Sequence, residues 1–295
     1  MGSFRPGNLL IYVTLAEFVL AGLAFLLKQR RLGWAQYALA FLMAITAVVV
    51  RGLHVGHVPM RNLYEVFLVL AALMFPLSLF GRFVLKAPGE MFDALLAAVL
   101  LVPPGFVFSA DVQPLPPALQ SPLFIPHVSA YVLAYVVLAK ATMVGIVGMV
   151  RERKKGKSQI SNFKSQISNF KSQISDFKFQ ISNFKLKESE SPISYDNAVY
   201  RLVCLGFPFL TAGLLTGALW GKQAWGDWWN WDPKELWSLA TWLIYVAYFH
   251  VRRMASKRRL RVEVAFVVTG LAFIVITLLW VNLSRLFPGL HTYAT

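Results

Sequence analysis

Cysteine is nearly missing from this chain: Cys204 is the only one in 295 residues. That excludes an intrachain disulfide and a C-x-x-C redox pair, and leaves Cys204 as a small apolar filler within a hydrophobic run. Acid is scarce as well, with 14 Asp+Glu against 29 Lys+Arg, and charged residues of both signs reach only 15%. A soluble domain of this length needs more polar surface than that. Histidine is rare too, limited to His54, His57, His127, His250 and His291.

What the chain has in quantity is apolar sequence, 57% of all residues, with a mean hydropathy of +0.57. It comes in long runs rather than amphipathic stripes. A bilayer core of roughly 30 Å takes about 20 helical residues per crossing. Eight runs approach that length, at about 9–27, 33–50, 63–81, 91–109, 127–150, 198–219, 236–251 and 263–284. The expected fold is all-α, a polytopic membrane helical bundle, because a barrel would show short alternating segments instead. The first run lacks a basic leader and is followed by basic residues, so it reads as a span and not as a cleavable signal.

The excess of cations is a topology signal, not a nucleic-acid one. Lys28, Arg30 and Arg31 follow the first run, Arg82 and Lys86 the third, a dense cluster from Arg151 to Lys187 the fifth, and Arg252 to Arg261 the seventh. Every second loop is therefore basic, as the positive-inside rule produces, which places both termini outside and sets basic loops against anionic lipid. No nucleic-acid partner is expected.

The chain divides into three regions: helices 1–5 within 1–150, a basic cytoplasmic loop over 151–197, and helices 6–8 within 198–295. The loop carries the heptapeptide SQISNFK four times between Ser158 and Lys185, with two substitutions. Ile and Phe recur at offsets of three and four, which suits one helical stripe, but the near-identical copies read as a tolerated insertion. A proline-rich stretch from Val102 to Pro126 predicts a non-helical outer loop.

The chemistry concentrates between runs 6 and 7. Seven of the nine tryptophans lie from Trp220 to Trp242, and Trp225, Trp228, Trp229 and Trp231 fall within seven residues. Interfacial belts spread tryptophans over many helix ends, as Trp237 and Trp242 would do. The packed core suits a wall of indoles for a large flat apolar ligand. His127 and His291 share that face by topology. Two neutral imidazoles there can ligate a haem iron axially; they also suit zinc or copper, although no cysteine or carboxylate cluster accompanies them. His250 alone lies near the inner end of its helix, and His54 and His57 read as loop residues. Asp232 ahead of Pro233 suits a helix N-cap.

The run Trp225-Gly226-Asp227-Trp228-Trp229-Asn230-Trp231-Asp232 resembles the tryptophan-rich WWD signature of haem-handling membrane proteins in cytochrome c maturation. Asn62-Leu63-Tyr64-Glu65, Trp231-Asp232-Pro233-Lys234-Glu235, Tyr248-Phe249-His250-Val251-Arg252 and Gly289-Leu290-His291-Thr292-Tyr293 are similar to the CcsA (ResC) type of System II. Nearly the whole chain takes part, the 158–187 repeat excepted.

The resemblance implies haem b as cofactor. It implies His127 and His291 as axial ligands beside the WWD loop, with Trp225, Gly226, Trp228, Trp229, Trp231 and Asp232 forming the platform. It implies His250 as the transmembrane ligand receiving haem, completed by a CcsB (ResB)-like partner. The expected task is haem movement to the outer face and its presentation to reduced apocytochrome c bearing C-x-x-C-H. The chain would then be the haem-binding part of a cytochrome c synthase complex, in a bacterial plasma membrane with the WWD loop outside. Lys222, Lys234 and Arg61 are the outer cations available to the propionates. Two alternatives stand beside this: a CcmC-like carrier delivering haem to a chaperone, and a non-haem transporter or quinone-binding subunit. A transporter should bury ionisable groups mid-helix, where Glu17 is the main candidate.

Overall fold

The computed structural model describes residues 9–112, 116–173, 194–254 and 259–281, with backbone alone over 155–173 and at 259. Eight α-helices carry the described chain: α1 (Leu9–Leu26), α2 (Arg30–Val55), α3 (Leu63–Phe83), α4 (Glu90–Phe106), α5 (Phe124–Gln173), α6 (Tyr195–Trp225), α7 (Pro233–Met254) and α8 (Arg259–Val275). The last continues through a π-turn at Ile276–Trp280. Each of the eight expected runs lies in a helix of its own, and no strand occurs among the described residues.

Polar contacts sort into two sets at opposite ends of the bundle. At one end Tyr12 donates to the Gly105 carbonyl at 2.9 Å, and Arg51 pairs with Glu65 at 2.9 Å while donating to the Ala110 carbonyl. At the other, Arg82 pairs with Glu90, Arg201 donates to the Leu85 carbonyl at 3.0 Å, and Arg252 pairs with Glu263. Successive helices thus run alternately between a tryptophan end and a basic end. Six of them, α1, α2, α3, α5 (over Phe124–Lys154), α6 and the α8 stretch Leu260–Trp280, are long and apolar enough to cross a bilayer. The other two, α4 with 17 residues and α7 with charges in its first and last turns, run the same distance. Glu90 and Gly105 place the ends of α4; Glu235 and Arg252 place those of α7. The protein is an integral membrane helical bundle.

Local chemistry explains the helix boundaries at the tryptophan end. Asn62 is the N-cap of α3 and accepts from the Glu65 N–H at 2.9 Å. Glu65 in turn accepts from the Arg61 N–H at 2.9 Å and pairs with Arg51. Gly56 closes α2 at φ 72°, where a side chain would be strained. The Asn62-Leu63-Tyr64-Glu65 motif is therefore a helix start locked to the end of α2.

Two expectations change. Pro103 and Pro104 lie inside α4, in its last turns, and the Val107 and Phe108 N–H groups both return to the Pro103 carbonyl at 2.8 Å. The missing proline donors fall where the helix is ending, so the helix keeps them. The non-helical outer connection is correspondingly shorter and includes a 3-10 turn at Pro117–Gln120. At the basic end, α5 does not stop near Val150 but remains helical to Gln173, through two SQISNFK copies into the third. The remainder of the repeat lies outside the described residues.

The intramembrane ionisable groups are not where Glu17 suggested. Asp93 of α4 and Lys140 of α5 are paired and fully buried, and the Ser78 hydroxyl donates to Asp93 at 2.6 Å. Glu17 is only half-buried. Charges in apolar surroundings persist when paired and hydrogen-bonded. The lysine stem lies over Gly81, where a Cβ would come within 2.6 Å of its Cε.

Candidate functional site: an imidazole and indole cleft

His127 stands in the first turn of α5, at the tryptophan end. Its Nδ1 lies 2.9 Å from the Gly213 carbonyl of α6. A carbonyl can only accept, so Nδ1 carries the proton and the neutral ring keeps its lone pair on Nε2. The ring stacks on Trp220 at 5.5 Å and 22°, and meets Tyr131 edge-on at 5.2 Å. Gly217 provides the space beneath it, for a Cβ there would reach 2.6 Å from Cε1. Trp220 is itself fixed, 1% exposed, with its indole N–H on the Ala118 carbonyl at 2.9 Å. The imidazole is thus seated by two glycines and a buried indole.

A half-open cavity of about 160 Å³ opens beside this seat. Its walls include His127, Tyr131, Trp229, Lys234, Glu235 and Ser238, with Thr277 and Leu278 from the π-turn. π-Turns recur at functional sites because they shift a helix face by one residue.

The loop that delivers Trp229 is held by backbone hydrogen bonds. Gly226 ends α6 at φ 90°, donating to the Lys222 carbonyl at 3.2 Å. Trp231 takes a left-handed φ of 57°. Glu235 reaches back with one oxygen to the Asn230 N–H at 2.8 Å and the Asp232 N–H at 3.2 Å. Asp232 accepts from the Lys234 N–H at 3.1 Å and sits ahead of Pro233, the first residue of α7. Together these make a capping box: cap residue, proline at the first helical position, and glutamate returning to the cap. Lys234, in the loop-facing first turn, has its ammonium pushed down to about 8 by burial, against the opposing charge of Asp232.

The expected platform divides. Trp229 alone of the four clustered indoles lines the cavity. Trp225 packs edge-on against Trp220 at 4.7 Å, while Trp228 and Trp231 are 55% and 66% exposed. Gly226 and Asp232 shape the loop ends. Of the three candidate cations, Lys234 lines the cavity; Lys222 is exposed and bonds the Gly226 carbonyl at 2.5 Å, and Arg61 is buried beside Glu65. His291 lies outside the described residues.

His250 is at the far end, as α7 requires. It is exposed, with Nδ1 2.9 Å from the Val246 carbonyl, so its lone pair too is on Nε2. It lines an open groove of about 550 Å³ with Tyr200, Phe249, Arg252 and Arg253. His57 makes a similar contact to the Val58 carbonyl at 3.0 Å, with no seat around it, and His54 is exposed. Among the described residues no three His, Cys, Asp or Glu side chains gather as ligands for a metal ion. Gly213, Gly217, Trp220, Tyr131 and Ser238 escaped the sequence reading. The Gly213–Gly217 spacing, small residues four apart, was the available signal for a close approach.

Fold and site together define a polytopic helical membrane protein with an imidazole-and-indole cleft at one end and an exposed histidine near the other. Residues 34–291 match the family model described as cytochrome C assembly protein. The chain belongs to this cytochrome c assembly family, as a CcsA-type member. It is 33% identical over 250 residues to the cytochrome c biogenesis protein CcsA of Heterosigma akashiwo, covering 80% of this chain and 76% of that one. To CcsA of Trieres chinensis it is 31% identical over 249 residues, with 81% and 78% covered. To CcsA of Solanum lycopersicum it is 30% identical over 305 residues, with 99% and 94% covered.

Proposed function

We propose that the chain moves haem b to the tryptophan end of the bundle and presents it there for covalent attachment to apocytochrome c. A role in cytochrome c maturation follows from the family. The observation that carries the finer reading is the His127 seat: a ring immobilised by Gly213, Gly217 and Trp220, in the tautomer that leaves Nε2 as the ligating nitrogen. Ligating histidines are oriented in this way by a backbone carbonyl on the other nitrogen. The residues present therefore fit an axial haem ligand. His291 is the proposed second ligand.

When bound, haem supplies an iron for imidazole ligation and vinyl groups to which the two thiols of a C-x-x-C-H segment add. The chain's own contribution is positional. His127 fixes one axis, Trp229 provides an apolar wall, and the capped loop from Gly226 to Glu235 holds that wall in place. His250, exposed beside Arg252 and Arg253, receives haem with a CcsB (ResB)-like partner contributing the facing ligand. The bundle sits in a bacterial plasma membrane, basic end inward and tryptophan end outward, by the positive-inside rule. The chain is the haem-binding part of a cytochrome c synthase complex. Its buried Asp93–Lys140 pair is neutralised and closed, which argues against reading it as a transport path.

The test is the visible spectrum of the protein co-expressed with its partner, beside His127→Ala, His291→Ala and His250→Ala. A low-spin b-type spectrum weakened by the substitutions is expected. Absence of a Soret band in the parent protein overturns the reading.

A further inference from the structure

The cavity beside His127 contains a polar atom that the bundle does not satisfy. Trp229 Nε1 is buried, and among the described residues it has no hydrogen-bond partner. Buried indole N–H groups are ordinarily bonded, because leaving one unmet costs its full desolvation. Trp229 shares the cavity wall with Lys234, the one candidate cation to reach it. On the same wall Glu235 Oε2 is engaged with the loop backbone, accepting from the Asn230 and Asp232 N–H groups. Ser238 adds a hydroxyl. The lining is therefore rich in donors on one side and apolar on the other, with Val66, Val128, Val132 and Leu214 facing them.

We infer that Trp229 Nε1 and Lys234 form a carboxylate-binding subsite beside the His127 seat, which takes a propionate arm of the porphyrin. The inference rests on the haem reading above and deepens it. A cavity of about 160 Å³ is too small for a macrocycle, since pockets for drug-sized ligands run from roughly 300 Å³. It accommodates a short carboxylate arm. An indole N–H and an ammonium give that arm one neutral and one charge-assisted donor. Iron ligation at His127 fixes the porphyrin at a point; anchoring an arm fixes its rotation about the iron–imidazole axis. Rotation decides which ring edge, and so which vinyl groups, face outward.

The experiment compares iron protoporphyrin IX with its dimethyl ester, in which both carboxylates are masked. Each is titrated by Soret absorbance into the full chain carrying His250→Ala, so that only the tryptophan-end site is read. The free acid is expected to bind about tenfold more tightly than the ester, the difference one charge-assisted hydrogen bond makes. Trp229→Phe and Lys234→Met each bring that ratio close to one, while Lys234→Arg retains it. Helicity and monodisperse elution confirm that each variant is folded; should Trp229→Phe fail this, Lys234→Met carries the comparison. Equal binding of acid and ester overturns the subsite and leaves the haem reading standing. A preference for the acid that survives both substitutions also overturns it. If neither porphyrin binds the parent, the haem reading and the subsite fall together.

Discussion

Gly217 and His127 fit each other as seat and occupant: a Cβ on the glycine would lie 2.6 Å from Cε1 and 2.8 Å from Nδ1. Gly217→Ala is expected to push the ring off the Gly213 carbonyl, at an overpacking cost of about 1–3 kcal/mol. Thermal unfolding measures the cost, and the spectrum of haem-loaded protein reports the lost ligand geometry. Gly221→Ala serves as the control on the same helix, where a Cβ finds nothing closer than 3.4 Å. If the two variants behave alike, the seat has no particular role.

Asp93 and Lys140 predict a pattern rather than a single value. Removing one partner leaves a buried uncompensated charge, so Asp93→Asn or Lys140→Met alone should cost about 3–5 kcal/mol. Changing both together to Asn and Met should cost less than either alone. Unfolding midpoints of the three variants in one detergent decide this.

Glu235 holds two backbone donors of the tryptophan loop at 2.8 and 3.2 Å. Glu235→Ala is expected to destabilise the start of α7 by about 1 kcal/mol, the usual worth of a cap. Hydrogen exchange over 226–232 should accelerate while the centre of α7 keeps its protection. Unchanged exchange in the loop would show that the capping box does not hold it.

Lys234 gives a pH dependence of definite sign. Its folded value of about 8 lies below the ordinary 10.5. Between those limits the unfolded chain binds the additional proton, so stability rises as pH increases from 8 towards 10.5. Lys234→Met should be more stable than the parent at pH 7, with the difference shrinking across that window. Unfolding midpoints at a series of pH values test it; a gap that widens with pH would contradict the assignment.

Sidedness is accessible to labelling. Trp228→Cys at the tryptophan end and Lys154→Cys at the basic end, both in a Cys204→Ala background, should react from opposite sides with a membrane-impermeant maleimide. With the tryptophan end outward, only Trp228→Cys reacts in intact cells. The reverse result would invert the proposed orientation.

The eight helices were legible because a hydrocarbon core imposes length and apolarity directly on the sequence. The pairs Asp93–Lys140, Arg51–Glu65 and Arg252–Glu263 were not, since each joins residues from different helices and no spacing rule connects them. Pro103 and Pro104 misled because proline is tolerated in a closing helical turn as well as in a loop. The tryptophan cluster marked the right loop but concealed its division. Adjacent residues point in different directions, so Trp229 lines the cavity while Trp228 and Trp231 do not. Asn62-x-x-Glu65 and Asp232-x-x-Glu235 share a form visible in the sequence, cap residue and returning glutamate, and both open a helix at the tryptophan end. The seat under His127 required knowing that α5 and α6 approach closely, which glycines hint at but only packing establishes.

The 50-residue length of α5 gives the repeat a mechanical meaning. At 1.5 Å per residue the helix is about 75 Å long, of which roughly 35 Å lies beyond Val150. Seven residues make nearly two full turns, short by about 20°. A heptapeptide duplicated in such a rod lengthens it by about 10 Å and scarcely rotates the chain beyond it. Gain or loss of a copy by replication slippage would change how far the rod reaches while nearly keeping its angular alignment, whereas a six- or eight-residue unit would turn everything downstream by about 100°.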